Sequence, residues 1–568
     1  LLFWILPAQA ESSHYQVEIS APKILEDLLK NHLDMLKWRD NKRMNSAEWQ
    51  RLYSLAPKNI KDLLATEGYF SPNITPTMTN KNGVYTAKFN VDGGAPTLIN
   101  QVEIKFTGDI LQQAEDNQPN LQKLRETWLL KTDSQFRQDD WNQAKRKLLS
   151  DLLVYRYPNA SITNSKAEIN LDTHRAALSI EIDSGPAVKF GDTTISGLNR
   201  YPKRVVENLN PIKPDSIYNQ SDLLTFQTRL QESGYFQSVE VSADTKNMES
   251  NIAPIKVMVE ENRSIKMGMG AGYSTNTGAR TQLTYDDLNI LDRGWRLASN
   301  LKLEQKSQSI NGEIQLPVTS KGYRDSINGN LNRTAIEGQT TISGQTGVKR
   351  AWGPRKREQY IAANYLIENQ YIDGAASSSM KVATLSYGIT LRHTDSELSP
   401  TRGYLLNAQF TGAPIDALSG GKFLQSYFKT QAYYPITQST QFIARAELGI
   451  VSGQNSAPAA YLFRAGGDQS IRGYAFQSLG VKKGDAIVGG RYLASGSVEV
   501  VQWLTNQWGA AAFLDFGNAA DRLQDLTPVY GYGLGARWKS PIGPIGADIA
   551  YGDATGKYRL HFNIGVAF

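Results

Sequence analysis

Beyond about Ser264 the chain alternates apolar and polar residues with a period of two. Trp295, Leu297, Leu301 and Leu303 share one parity, and Arg296, Asn300, Lys302 and Glu304 take the other. Phe442, Ala444, Ala446, Leu448 and Ile450 oppose Gln441, Arg445 and Glu447 in the same way. Successive side chains of a strand point to opposite faces, so each such segment has one apolar and one polar face. A soluble sandwich keeps its inner face dry. Charges along that face instead suit a membrane barrel, with lipid outside and water inside. The segments run about 8 to 15 residues between Gly, Asn, Asp, Ser and Pro clusters. About sixteen can be counted, the first near Ser264, the twelfth near Ile487 and the last near Tyr558. An even number returns the chain to its starting side. The last segment is apolar or aromatic at every second position as far as Phe568, as a closing strand would be. Between the eleventh and twelfth lie residues 451–486, far too many for a hairpin turn and therefore a candidate functional loop.

From about Glu11 to Glu261 helical and strand patterns mix, and a repeat is visible. Residues 62–74, DLLATEGYFSPNI, match 229–241, RLQESGYFQSVEV, and 152–162, LLVYRYPNASI, form a degenerate copy. Each reads as a helix end followed by a strand. Ile60, Leu63 and Leu64 make an i, i+3, i+4 stripe, and Gly68 supplies the left-handed position that stops the helix. Gly234 does the same in the last copy, while Arg156 stands there in the middle one, at some cost in stability. Strand-plus-glycine signals at 102–108 and 192–197 precede the second and third copies. Three α+β units follow, residues 11–97, 98–185 and 186–263, ahead of an all-β region at 264–568. Such a series reads as an array of binding modules.

Composition narrows the class. The hydrophobic fraction is 40% and the mean hydropathy −0.41, and no apolar run is long enough for a spanning helix. A barrel needs apolar residues only on its outward positions, so these values fit one. The 47 glycines and 27 tyrosines fit strands and interfacial girdles. With no cysteine, thiolate metal sites, thiol catalysis and disulfides are excluded. A net charge of +6 without an aromatic-rich basic module gives no case for nucleic acid. Leu1 to Ala10 reads as the tail of a secretory signal ending in Ala8-Gln9-Ala10. The five histidines form no metal or catalytic pair, and neither a nucleophile elbow nor a phosphate loop occurs, so neither an enzyme nor a cofactor is expected. Gly268-Met-Gly270-Ala-Gly272 begins a strand and does not join a strand to a helix, which discounts it as a nucleotide loop.

These features together resemble a known family. The three repeats are similar to POTRA (polypeptide-transport-associated) domains, and the last 300 or so residues to the sixteen-stranded antiparallel transmembrane β-barrel of the outer-membrane assembly superfamily that includes BamA and TamA. The most specific element is GGDQSIRGY at 466–474, which resembles the family's inward-folded loop motif, (V/I)RG(F/Y). PTRGY at 400–404, FLDFG at 513–517 and WKSPIGP at 538–544 resemble its strand signatures. Three repeats resemble the TamA branch, and the strand-like Tyr15 to Ile19 leaves no plug helix of the two-partner secretion kind. The second repeat departs from the pattern in lacking the Gly-Tyr-Phe turn.

An arginine in a barrel lumen must be paired or wet. Parity turns Glu499 and Asp515 inward, since Val488, Gly490, Tyr492, Val498 and Val500, and Ala510, Ala512, Leu514 and Phe516, would face lipid. Both acids also match positions that hold the loop arginine in the family. Arg472, Gly473 and Tyr474 are thus expected to brace the loop against the wall. The seam between first and last strands is the second candidate site. Gly268, Gly270 and Gly272 weaken the first strand, and Phe562, Gly565 and Phe568 lie on the last. These glycines either let the seam open to an incoming strand or merely accommodate curvature. The resemblance implies a periplasmic array before an outer-membrane barrel that inserts autotransporters and other nascent β-barrels without nucleotide hydrolysis. Implied partners are a TamB-like inner-membrane-anchored protein at the first repeat, and outer-membrane lipids at a seam that thins the bilayer. The alternative is a two-partner transporter exporting a soluble protein through the lumen.

Overall fold

The computed structural model describes residues 15–41, 44–81, 83–112, 121–414, 422–453, 457–540 and 543–564. The signal-like residues 1–10, Gly565 and Phe568 lie outside them.

Three small sheets share one strand order. In the first, Tyr15–Ser20 runs parallel to a central Val84–Asp92, which pairs antiparallel with Asn73–Lys81. In the second, Leu98–Thr107 is parallel to the central Arg175–Asp183, and Ser161–Asn170 antiparallel to it. The third orders Lys189–Ser196, Ile252–Glu261 and Phe236–Ala243. Helices fill each gap between the first strand and the hairpin: Ser46–Thr66, Gln138–Leu153 and Gln220–Glu232 are the longest. Asn45 caps Ser46–Thr66 by accepting from the Glu48 amide at 2.9 Å, satisfying one of its orphan donors. Its apolar stripe buries Trp49, Ile60 and Leu64 completely against Phe89 of the sheet. The helix stops are as the repeat suggests: Gly68 and Gly234 sit at φ +85° and +78°, and Arg156 is forced to +69°. A side chain in that region is strained, so the middle repeat keeps its turn at a cost the others avoid.

Sixteen strands, from Ile265–Ser274 to Lys557–Ile564, form one antiparallel sheet in chain order. Among the described residues no α-helix follows Glu261. Outward positions carry the apolar side chains: Ala510, Ala512, Leu514 and Phe516 are exposed while Ala511, Phe513 and Asp515 between them are buried. Trp508 stacks on Trp538 at 5.6 Å, and Lys539 lies over Trp503, at the end opposite the long loop. One expectation needs correction. The twelfth strand begins at Tyr492, not near Ile487. Ile487 belongs to Ala486–Val488, which pairs with Val481–Lys483 in a two-stranded hairpin within the loop. Val488 and Gly490 are therefore not lipid-facing: Gly490 exchanges backbone hydrogen bonds with Phe463 inside the loop.

By contacts the chain forms two compact units, and one of them joins Ile195–Asn210 and Thr228–Val239 to everything from Met258 onward. Within that unit the Gly-Tyr-Phe turn of the third repeat meets a barrel turn. The Tyr235 hydroxyl donates to the Gly294 carbonyl at 2.6 Å. Burial pushes that phenol up to about 12. Arg204 donates to the Arg293 carbonyl at 3.0 Å. Glu261 accepts from the backbone amides of Asn199, Arg200 and Tyr201 and from the Arg200 guanidinium.

Candidate functional site

The loop between the eleventh strand, Thr440–Gly453, and the twelfth, Tyr492–Trp503, folds against the inward face of the sheet. Its first anchor is Glu368, whose two carboxylate oxygens accept from the amides of Ala459 and Ala460 at 2.7 and 3.0 Å. A carboxylate there satisfies the free donors of the short turn Ala459–Tyr461. Gln425 donates to the Tyr461 carbonyl, and Arg464 reaches Gln339 and the Ile336 carbonyl. Tyr461, Phe463, Ala465 and Ile471 pack into an apolar cluster with residues of the wall.

Arg472 is the centre of the site. Its side chain is 1% exposed, yet all five guanidinium N–H groups have acceptors. Nε donates to Asp515 Oδ2 at 2.7 Å and Nη2 to Asp515 Oδ1 at 2.9 Å, a bidentate pair. Nη1 reaches Glu499 Oε2 at 2.9 Å and Asp548 Oδ2 at 3.0 Å, and Nη2 also approaches Ser497 Oγ at 3.4 Å. The ring of Phe513 lies flat beneath it, 3.3 Å from Cζ to centroid. The Arg472 amide donates to Asp515 too, so one carboxylate fixes backbone and side chain together.

Three carboxylates around one guanidinium would repel one another. A second buried arginine, Arg537, answers this by bridging Glu499 at 2.8 Å and Asp548 at 2.6 Å. Arg445 adds a third cation at the rim through Ser497, 3.1 Å away. Cations and carboxylates then balance across strands eleven to fifteen. Arg537 and Asp548 were absent from the sequence reading, although the parity that turned Glu499 and Asp515 inward applies to them. Tyr532, Leu534 and Ala536 face out beside Arg537, and Ala547 and Ile549 flank an inward Asp548.

Gly473 and Tyr474 complete the contact. Gly473 has φ +93°, and a Cβ there would lie 2.7 Å from the Gly552 nitrogen. Its amide donates to His561 Nε2 at 3.0 Å. The Tyr474 hydroxyl donates to Asp553 Oδ1 at 2.6 Å and accepts from the Ala554 amide at 3.1 Å.

At the seam, the first strand pairs with the second along its whole length, Ile265↔Asp287 to Ser274↔Gly278. Among the described residues no ladder joins it to the last strand. Ile265 to Tyr273 are exposed throughout, as are Leu560 and Phe562 opposite. A Cβ on Gly268 would press on Thr284 and one on Gly272 would crowd Arg280, whereas one on Gly270 would meet open space. A side chain at Gly268 or Gly272 would thus have to displace a neighbouring side chain, and one at Gly270 would not.

A family profile for the Omp85 superfamily domain matches residues 262–568, and one for the surface antigen variable number repeat, a POTRA, matches 188–262. The outer membrane protein assembly factor BamA of Neisseria meningitidis is 22% identical over 457 residues, 67% of this chain and 56% of that protein. The chain therefore spans little more than half the length of that relative. Among solved structures, BamA from Haemophilus ducreyi lacking POTRA domains 1–3 aligns over 83% of this chain and 100% of its own, at 16% identity and TM-score 0.70. CdiB from Acinetobacter baumannii aligns over 84% and 91% at 11% identity and TM-score 0.48. The chain belongs to the Omp85 superfamily. It is an outer-membrane β-barrel preceded by POTRA repeats.

Proposed function

We propose that this protein inserts nascent β-barrels and autotransporters into the outer membrane through the seam between its first and last strands. The observation that carries the reading is the seam itself: sixteen strands pair in order, and the two edges share no ladder among the described residues. Unpaired strand edges in lipid cost several kcal/mol per backbone group, so they are primed to accept a strand. Gly270, free of packing, lets the first strand bend toward an incoming partner. Arg472 on Glu499 and Asp515, Gly473 on His561 and Tyr474 on Asp553 keep the loop between strands eleven and twelve seated.

The finer reading is of the TamA kind, with a TamB-like inner-membrane-anchored protein docking on the first repeat. Photo-crosslinking in cells from probes at Tyr69 and Phe562 tests both parts. An inner-membrane-anchored protein captured at Tyr69 and barrel substrates at Phe562 are the expected result. A secreted exoprotein captured at both positions would replace this reading with the transporter.

A further inference from the structure

Loop residues 468–474 touch both edges of the seam. On the side of the first strand, Asp468 accepts from the Asn276 side chain in the turn that follows Ile265–Ser274. On the side of the last strand, Gly473 donates to His561 Nε2, and Tyr474 is hydrogen-bonded to Asp553 and Ala554 in the turn before Lys557–Ile564. His561 faces inward and is 3% exposed, between Leu560 and Phe562, which are outward and exposed. Its Nδ1 is buried without a hydrogen-bond partner, so its one polar contact in the described structure is the loop. Asn276 lies in the turn that closes the first hairpin, and Asp468 reaches it from 192 positions away.

We propose that this loop is a luminal clasp, in which Asn276–Asp468 holds one edge of the seam and His561–Gly473, with Tyr474, holds the other. Two edges without a shared ladder have no direct means of staying in register. A third body fixed to both supplies one. That body is itself immobilised by the Arg472 network on strands twelve, thirteen and fifteen, so both edges are tied through it to the wall beside the last strand. Withdrawal of the loop then frees both edges at once, which couples loop seating to seam opening. The inference rests on the proposed use of the seam for its purpose but not for its geometry.

The absence of native cysteine permits a direct test. Cysteines replacing Met269 and Leu560, both exposed, carry spin labels in the full chain in lipid vesicles, and the distance across the seam is read. The native protein should give one narrow distribution. Asn276→Ala with His561→Leu should add a population longer by at least one strand spacing, about 5 Å. His561→Gln, whose amide oxygen still accepts from Gly473, should keep the native distribution. Asn276→Ala alone serves if the double variant fails to fold. An unchanged distribution in the variants that break the clasp, or equal widening in His561→Gln and His561→Leu, overturns the proposal. Substrate insertion is measured in the same vesicles. Widening without any change in insertion would uphold the clasp and count against the proposed function.

Discussion

Replacing Arg472 by alanine removes the one cation that Glu499, Asp515 and Asp548 share, and leaves Arg537 to serve two of them. Asp515 then keeps a buried charge with no guanidinium, at 0% side-chain exposure. Breaking a buried pair by deleting one partner costs roughly 3–5 kcal/mol. That corresponds to an unfolding constant larger by on the order of a hundred-fold to a few thousand-fold. Arg472→Lys keeps the charge but has three donors for five acceptor contacts. It should lose at least two charge-assisted hydrogen bonds, each worth roughly 1.5–3 kcal/mol, less what its own ammonium regains. Adding Asp515→Asn to the alanine variant should recover part of the loss, because it removes the stranded carboxylate. The assay is urea unfolding in lipid vesicles, followed by fluorescence of Trp503, Trp508 and Trp538, with protease resistance of the loop as a second readout. If Arg472→Ala unfolds at the native urea concentration and its loop stays resistant, the network carries no stability and the reasoning fails. If Asp515→Asn worsens the alanine variant, the electrostatic account of the loss is wrong.

Three further outcomes follow from the repeats. Tyr235→Phe leaves the buried Gly294 carbonyl without its donor and should cost about 1–2 kcal/mol, seen as faster amide exchange in residues 289–294. For Glu261, burial raises the carboxyl, but the Arg200 guanidinium and three backbone amides outweigh it and hold the group below the usual carboxylate range. A depressed folded value means the unfolded chain binds the proton more readily. Its stabilisation is therefore present above about pH 4.3 and is lost as pH falls through the lower folded value. Exchange at Asn199 and Arg200 should rise across that window, and Glu261→Gln should abolish this pH dependence. Arg156→Gly should relieve the left-handed backbone and stabilise the second repeat by about 0.5–1 kcal/mol, measured as slower exchange in Ser161–Asn170. No gain there would mean that the arginine side chain contributes packing equal to the strain.

The barrel was legible because its code is local. A strand that meets lipid on one face and water on the other shows the contrast at every second residue, and sixteen such strands needed no knowledge of their neighbours. The twelfth was misplaced for the same reason: Ala486–Val488 has strand character, but it pairs within the loop and never enters the sheet. The repeats were readable from the helix stops, where Gly68 and Gly234 satisfy a backbone need that few other residues meet. Arg472, Glu499 and Asp515 were found by combining the loop motif with parity, whereas Glu368 gave no signal, since its role depends on where the loop begins its descent.

The sequence by itself determined which residues point inward and where the chain turns, since side-chain direction along a strand is fixed by backbone geometry within a few residues. Only the tertiary structure decided which inward charges converge. Arg472 meets acids 27, 43 and 76 positions away. Their meeting depends on the register between strands and on the path of a loop through the lumen. Alternation specifies a face, but height along a strand is set by its neighbours, and that is why Arg537, Asp548 and His561 took on their roles only once the sheet had curled around the loop.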